Sequence, residues 1–369
     1  MDTSNAQAGP LTGLRVLELG GIGPGPHAAM LLADLGAEMV RIDRADRHGA
    51  AGGRAHMHRN GTIVTADLRN RDDHQFVLDL VGKADVLIEG FRPGAAERLG
   101  LGPDDCLAVN PRLVYVRMTG WGQSGPRARS AGHDINYIGL TGALAAIGTP
   151  GGDPAVPLNL VGDFGGGSLF AVVGALAALW ERDRSGQGQV VDAAIVDGTS
   201  MLMQMLWGMF GIGTFSSTRG ENFLDGSAPY YRTYRCADGR HVAVGALEPQ
   251  FWRNFLTALE IDEADHPDRM DRDGWPHWNA LLENALAERL RDEWAAHFEG
   301  REACVTPVLT MGEAAADPHL RERGTLVERD GTVYSAPAPR FSRSTTAEPT
   351  PVEFLGTDHD RARTRWVGV

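Results

Sequence analysis

The sequence has few cysteines, no excess of basic charge and an apolar run too short for a confident membrane span, and each shortage argues against something. Three cysteines, Cys106, Cys236 and Cys304, occur in 369 residues, far apart and without CxxC spacing. That pattern argues against a disulfide framework or a zinc site and fits a reducing cytoplasm. Acidic residues number 48 against 35 Lys and Arg, for a formal net charge of −13. Such a chain is a poor match for nucleic acid or an anionic membrane, although local arginine clusters still suit an anionic ligand. The stretch SLFAVVGALAALW (168–180) falls short of the roughly 20 residues a span needs and reads as a buried helix. MDTSNAQAGPLTG at the start has no basic region followed by an apolar run, so a signal peptide is not expected. The expected location is cytoplasmic.

What is present reads as a globular α/β chain. Hydrophobic residues make up 43% and charged residues 22%, which excludes a disordered composition. The length suits two domains better than one. LRVLELGG (14–21) is a buried-strand signal, PHAAMLLADLGAE (26–38) has helical periodicity, and MVRID (39–43) is a second strand. ADVLIEG (84–90) and LVYVRMTGWG (113–122) add two more strands, so a parallel sheet covered by helices is expected. Asp163 is read as opening a long helix that stops at Ser185-Gly186, and VVDAAIVDG (190–198) as a strand leading to a helix at Thr199. From about residue 216 the character changes. YYRTYRC, the turn Ala-Asp-Gly and HVAVGAL form a hairpin pattern, followed by helices at 250–259, 275–298 and 312–323. This is a second, smaller α+β domain. The Pro-, Ser- and Thr-rich tail from Ala336 to Pro351 is expected on the surface.

Taken singly, the candidate groups have ordinary explanations. GGIGPGP (20–26) lacks the GxGxxG spacing of a dinucleotide loop and loses amide donors to proline; it reads as a tight turn permitting a close approach. Asp163 reads as a helix cap, His133 as a structural or surface histidine, and Glu248 as a first-turn acid. The methionine-rich MLMQMLWGMF (201–210) reads as core, or in part as an adaptable lining for an acyl chain. His133 stands directly beside Asp134, and neighbours in sequence point apart on either a helix or a strand. The two are therefore not a simple hydrogen-bonded pair.

The combination of motifs is more specific than any one of them. AGHDINY (131–137), LVGDFGGGS (160–168), VGALEPQF (244–251), VLIEGFRPG (86–94), MTGWGQSGP (118–126) and NFLDGSAPYYRTY (222–234) occur in order with the 14–44 segment. Together they resemble the α-methylacyl-CoA racemases of the family III CoA-transferase superfamily, from about Gly9 to about Arg343. The resemblance implies inversion of the 2-methyl stereocentre of an acyl-CoA thioester. His133 and Asp163 would exchange the α-proton on opposite faces of an enolate, since inversion requires a donor and an acceptor on the two sides. Glu248 would orient the imidazole from the partner subunit. Asp134 would hold the loop and the thioester end. No separate cofactor is implied, because CoA arrives as part of the substrate.

Further roles follow from the same resemblance. Arg44, Arg92 and Arg98 would meet phosphates, for which a guanidinium fork is suited. Thr65, Ala66, Asp67 and Leu68 would flank the adenine, and Gly132, Ile135, Asn136 and Tyr137 would also bind the CoA thioester. In the family, two chains interlock as ring-like homodimers, with a large domain over 1–215 completed by 325–369 and a small domain over 216–324. One departure concerns RNGT (59–62), where Gly61 and Thr62 replace two basic residues usual in the family. That removes positive charge near the nucleotide end. DRHGAAGGRAHMHRN (46–60) reads as a mobile loop without metal spacing. Two rival readings remain: a CoA-transferase with Asp134 as nucleophile, and a non-catalytic acyl-CoA-binding protein.

Overall fold

The computed structural model describes residues 9–44, 53–329, 331–346 and 348–367. Residues 46–52 of the expected mobile loop lie outside the described residues, and Gly53–His58 form a 3-10 helix. The chain divides into two compact units. The first comprises Met1–Thr141, Leu158–Met203 and Tyr334–Val369; the second comprises Gly142–Pro157 and Gln204–Val333.

The first unit is built on a seven-stranded sheet. Strands β1 (Arg15–Leu19), β2 (Glu38–Asp43), β3 (Gly61–Thr65), β4 (Val86–Glu89), β5 (Val114–Thr119) and β6 (Gln189–Ala194) are joined by a C-terminal strand, Glu353–Gly356. The order is C-terminal strand, β3, β2, β1, β4, β5, β6, and every pairing is parallel. Parallel strands are covered on both faces, which explains their nearly continuous apolar sequences. Side chains alternate between faces along each strand. Val16, Met39, Ile88 and Val116 thus join one core with helix α1 (Pro24–Asp34) and helix Leu169–Ser185. Leu17, Leu19, Val40, Phe76 and Trp366 join the core on the other face. Each such side chain, fully buried, contributes about 1.5–3 kcal/mol. The tail that reads as surface wrapping returns to the sheet: Thr350 donates its amide to Asn60 Oδ1 at 2.7 Å, just before the C-terminal strand pairs with β3.

Several boundaries differ from the sequence expectation. Asp163 does not open the long helix. A π-helical segment, Leu160–Ser168, precedes it, with Asn159 at its start and Asp163 within its first turn. The α-helix begins only at Leu169, and Gly186 ends it with a φ of +79°. The helix is also half exposed: Ala171, Ala175 and Ala178 are buried, but Trp180 is 70% exposed. The helix expected at Thr199 starts at Ile195. The methionine stretch is not core, because helix Gln204–Gly211 buries none of its residues and Met201, Met205 and Phe210 are exposed. Periodicity identifies an apolar face but does not say whether the same chain covers it.

The second unit carries the expected hairpin, β7 (Tyr231–Arg235) and β8 (His241–Gly245), with β9 (Val305–Pro307) completing an antiparallel sheet. Helices Pro249–Ala258, Trp275–Leu286 and Arg291–Phe298 pack on it around Tyr234, Trp252, Phe255 and Trp278. The single helix expected over 275–298 breaks after Leu286, and Glu293 Oε2 accepts the Leu290 amide at 2.9 Å to start the next. The helix expected over 312–323 is two, because Pro318 cannot continue the helix Met311–Ala316.

Candidate active site

β1 leads by α1 to β2 and then to β3 on one side, while β4 lies on β1's other side. The strand order therefore reverses between β1 and β4, and in such sheets ligands bind outside the carboxyl ends of the strands at this point. A cleft of about 1160 Å3 opens there. Its walls are the 21–26 turn after β1, Gly90–Pro93 after β4, Thr119–Trp121 after β5, and residues of the 130–137 loop, with Asn159 and Asp163.

His133 and Asp134 diverge. His133 is the N-cap residue of helix Asp134–Leu140; its amide donates to Asn136 Oδ1 at 3.0 Å and its side chain lines the cleft. Asp134, at the next position, is buried and is not on the cleft wall. Its Oδ2 accepts the backbone N–H of Asp163 at 2.7 Å. One hydrogen bond therefore ties the loop carrying His133 to the segment carrying Asp163. Tyr137 steadies the same loop: its hydroxyl donates to the Gly132 carbonyl at 2.5 Å and Trp121 meets its ring edge-on.

Asp163 lines the cleft and is half-buried. The π-helical turn that presents it is braced from α1. His27 stacks on Phe164 with ring centroids 4.2 Å apart, and its Nδ1 lies 2.7 Å from Ser168 Oγ. The Ser168 hydroxyl donates to the Phe164 carbonyl, so Nδ1 carries the proton in this network. Gly23, with a φ of +70°, lets the 21–26 turn come close; a Cβ there would lie 3.0 Å from Asp163 Oδ2. Burial raises the Asp163 pKa above the usual carboxylate range, and the neighbouring Asp134 raises it further. A hydrogen bond from Asn159 and the proximity of His133 partly offset this. Such a carboxyl group exchanges protons closer to neutrality than an exposed one.

The other sequence candidates fall into groups. Gly132, Asn136, Tyr137 and Arg92 line the cleft with His133 and Asp163. Ile135 is exposed and not part of the wall; Arg44 and Arg98 are exposed and outside it. Thr65, Ala66, Asp67 and Leu68 are also outside it. The Thr65 carbonyl is taken by His359 Nε2 at 2.8 Å, and the Asp67 amide donates to Asp73. Glu248 is the exposed N-cap of helix Pro249–Ala258 in the second unit. At the position where basic charge is missing, Thr62 Oγ1 accepts from the Arg365 guanidinium at 2.6 Å.

Sequence reading missed Glu18, Arg41, Asp43 and His58, which also line the cleft. A signal was present: Glu18 and Arg41 are charged residues set between apolar neighbours in the buried middle of their strands.

Fold and site together define an acidic doubly wound α/β protein whose switch-point cleft presents an imidazole and a carboxyl group of raised pKa. Residues 11–357 match CoA-transferase family III, and the chain belongs to that family. It is 43% identical over 336 residues to the α-methylacyl-CoA racemase of Mus musculus, covering 90% of this chain and 87% of that protein. With the α-methylacyl-CoA racemase of Homo sapiens it shares 43% identity over 330 residues, covering 89% and 86%. A CAIB/BAIF family protein from Brucella suis superposes with a TM-score of 0.82 at 26% identity, over 97% of this chain and 99% of that one.

Proposed function

We propose that the protein is a racemase that inverts the 2-methyl stereocentre of 2-methylacyl-CoA thioesters. The carrying observation is the divergence of His133 and Asp134. The cleft receives the imidazole and the Asp163 carboxyl group, while Asp134 spends its Oδ2 on the Asp163 amide. Its relatives named as racemases support the same reading. One of the two groups removes the α-proton; the enolate oxygen is stabilised by backbone amides of the 132–136 or 164–167 segment; the other group returns a proton on the opposite face. The roles exchange for the opposite epimer. CoA enters with the substrate and no further cofactor takes part. Arg44, Arg92 and Arg98 hold its phosphates, with Thr65–Leu68 beside the adenine. Glu248 of a second copy fixes the His133 tautomer, and the homodimer covers the exposed apolar helix Gln204–Gly211. The protein works in the cytoplasm.

The test is incubation of one 2-methylacyl-CoA epimer in deuterated water. Loss of configuration with deuterium at the α-carbon is expected. Retention of both hydrogen and configuration overturns the proposal. The transferase alternative needs Asp134 as nucleophile and predicts an aspartyl adduct cleaved by hydroxylamine; no such adduct is expected.

The pH dependence follows from the Asp163 environment. In the direction where Asp163 is the base, the rate falls as pH drops through its raised pKa. In the reverse direction, where it is the acid, the rate falls as pH rises through the same value. Asp134→Asn keeps an oxygen to accept the Asp163 amide but removes a like charge. Both limbs should therefore move to lower pH in that variant. Profiles of kcat/KM for each epimer measure this, and unmoved limbs would show that Asp134 does not tune Asp163.

A further inference from the structure

Away from the catalytic pair, the cleft has a second polar region. Glu18 and Arg41 are register partners on β1 and β2 and share the sheet face beneath α1. The Arg41 guanidinium donates to Glu18 Oε1 and, at 2.9 Å, to the Gly21 carbonyl; its Nε faces the Asp43 carboxylate at 3.5 Å. Glu18 is 1% exposed and His58 5% exposed, yet both line the cleft. Glu18 Oε2 and His58 Nδ1 are buried without any hydrogen-bond partner. The ion pair needs only Oε1, so holding β1 to β2 does not explain the second carboxylate oxygen. Buried polar atoms without partners are rare in native proteins and call for a specific explanation.

The chemistry of the cluster narrows what fills it. One cation, Arg41, is set against two acidic groups, Glu18 and Asp43, so the region does not attract phosphate. His58 is held neutral by burial and by the Arg41 charge, its pKa lowered to about 4. Burial raises the Glu18 pKa to about 7 against the pull of Arg41. Once ionised, its Oε2 is an acceptor only, and with the neutral His58 ring on the same cleft it suits a neutral ligand bearing both an N–H donor and a polar acceptor. A secondary amide is such a group.

We infer that Glu18 and His58 form a subsite for an amide of the pantetheine arm, with Glu18 Oε2 accepting the amide N–H and His58 Nδ1 meeting the amide oxygen. This rests on the acyl-CoA reading above, since the pantetheine arm carries two secondary amides between the thioester and the diphosphate. The subsite fixes how far the arm enters the cleft, and so where the α-carbon stops relative to His133 and Asp163.

The test measures binding of CoA, pantetheine and adenosine 3′,5′-bisphosphate to the full chain by calorimetry. Glu18→Gln preserves shape and one oxygen for Arg41 but places an N–H donor where the acceptor was. His58→Phe keeps a ring and removes both nitrogens. Each variant is expected to weaken CoA and pantetheine about tenfold, the effect of losing one charge-assisted or buried hydrogen bond, and to leave the bisphosphate unchanged. Unchanged CoA and pantetheine affinities overturn the assignment; so does equal weakening of all three ligands, which would assign the cluster to the fold. If Glu18→Gln does not fold, the same comparison in His58→Phe decides. Failure of the native chain to bind CoA would instead overturn the acyl-CoA reading itself.

Discussion

Asp163→Asn is expected to lower racemisation by about 10^3-fold, within the range that a positioned acid or base supplies. Asparagine preserves the shape and the backbone hydrogen bond to Asp134, which uses the main-chain amide of residue 163. What is lost is the ionisable carboxyl group, and with it the acid and base function. The informative readout is α-proton exchange measured separately for each epimer. With Asp163 silenced, His133 still removes the proton from the epimer that presents it to the imidazole, so exchange in deuterated water persists for that epimer with configuration retained. The opposite epimer stops exchanging. His133→Ala reverses the pattern. Equal loss of exchange from both epimers in both variants would mean that the two groups do not flank the carbon, and the two-base mechanism fails. Unchanged turnover in either variant removes that residue from the chemistry.

Gly198→Ala is expected to damage both the stability and the activity of the first unit. Helix Ile195–Leu202 packs backbone to backbone against the π-helical segment. A Cβ on Gly198 would lie 1.9 Å from the Gly166 carbonyl oxygen and 2.8 Å from Phe170 Cδ2. The first neighbour is main chain and cannot rotate away. Overpacking of this kind costs about 1–3 kcal/mol, and more where the backbone must move. The segment that moves carries Asp163, so catalysis should fall along with stability. Urea unfolding and racemase assays together check this. Gly312→Ala serves as the control: a Cβ there meets nothing within 4 Å in the exposed helix Met311–Ala316, and the change should be neutral or slightly stabilising. A Gly198→Ala protein with native stability and activity would show that the two segments separate easily.

The strands of the parallel sheet were legible because fully covered strands read as short apolar runs: β1, β4 and β5 lie within the segments expected, and β2 begins one residue before its segment, at Glu38. The hairpin of the second unit was legible from its turn and alternation. The C-terminal strand was not, because Glu353–Gly356 is a short edge strand whose identity comes from pairing with β3 rather than from composition. The π-helical turn at Asp163 reads in sequence as an ordinary helix start, since a glycine-rich run shows that the backbone is permissive without showing which helix it adopts. Glu18 and His58 are not legible as site residues for a related reason: one charge between apolar neighbours is visible in sequence, but its place on a cleft wall is not.

The sequence by itself determined the alternation of strand and helix, the family, and the pairing of an imidazole-bearing loop with a glycine-flanked carboxylate as the candidate chemistry. These depend on local composition and on the order of motifs along the chain. Tertiary structure alone decided that His133 and Asp134 face different ways, that Asp134 grips the amide of Asp163, and that burial and this neighbour raise the Asp163 pKa. Those facts depend on distances between residues 29 positions apart. Only the crossing of strands at the switch point brings them together.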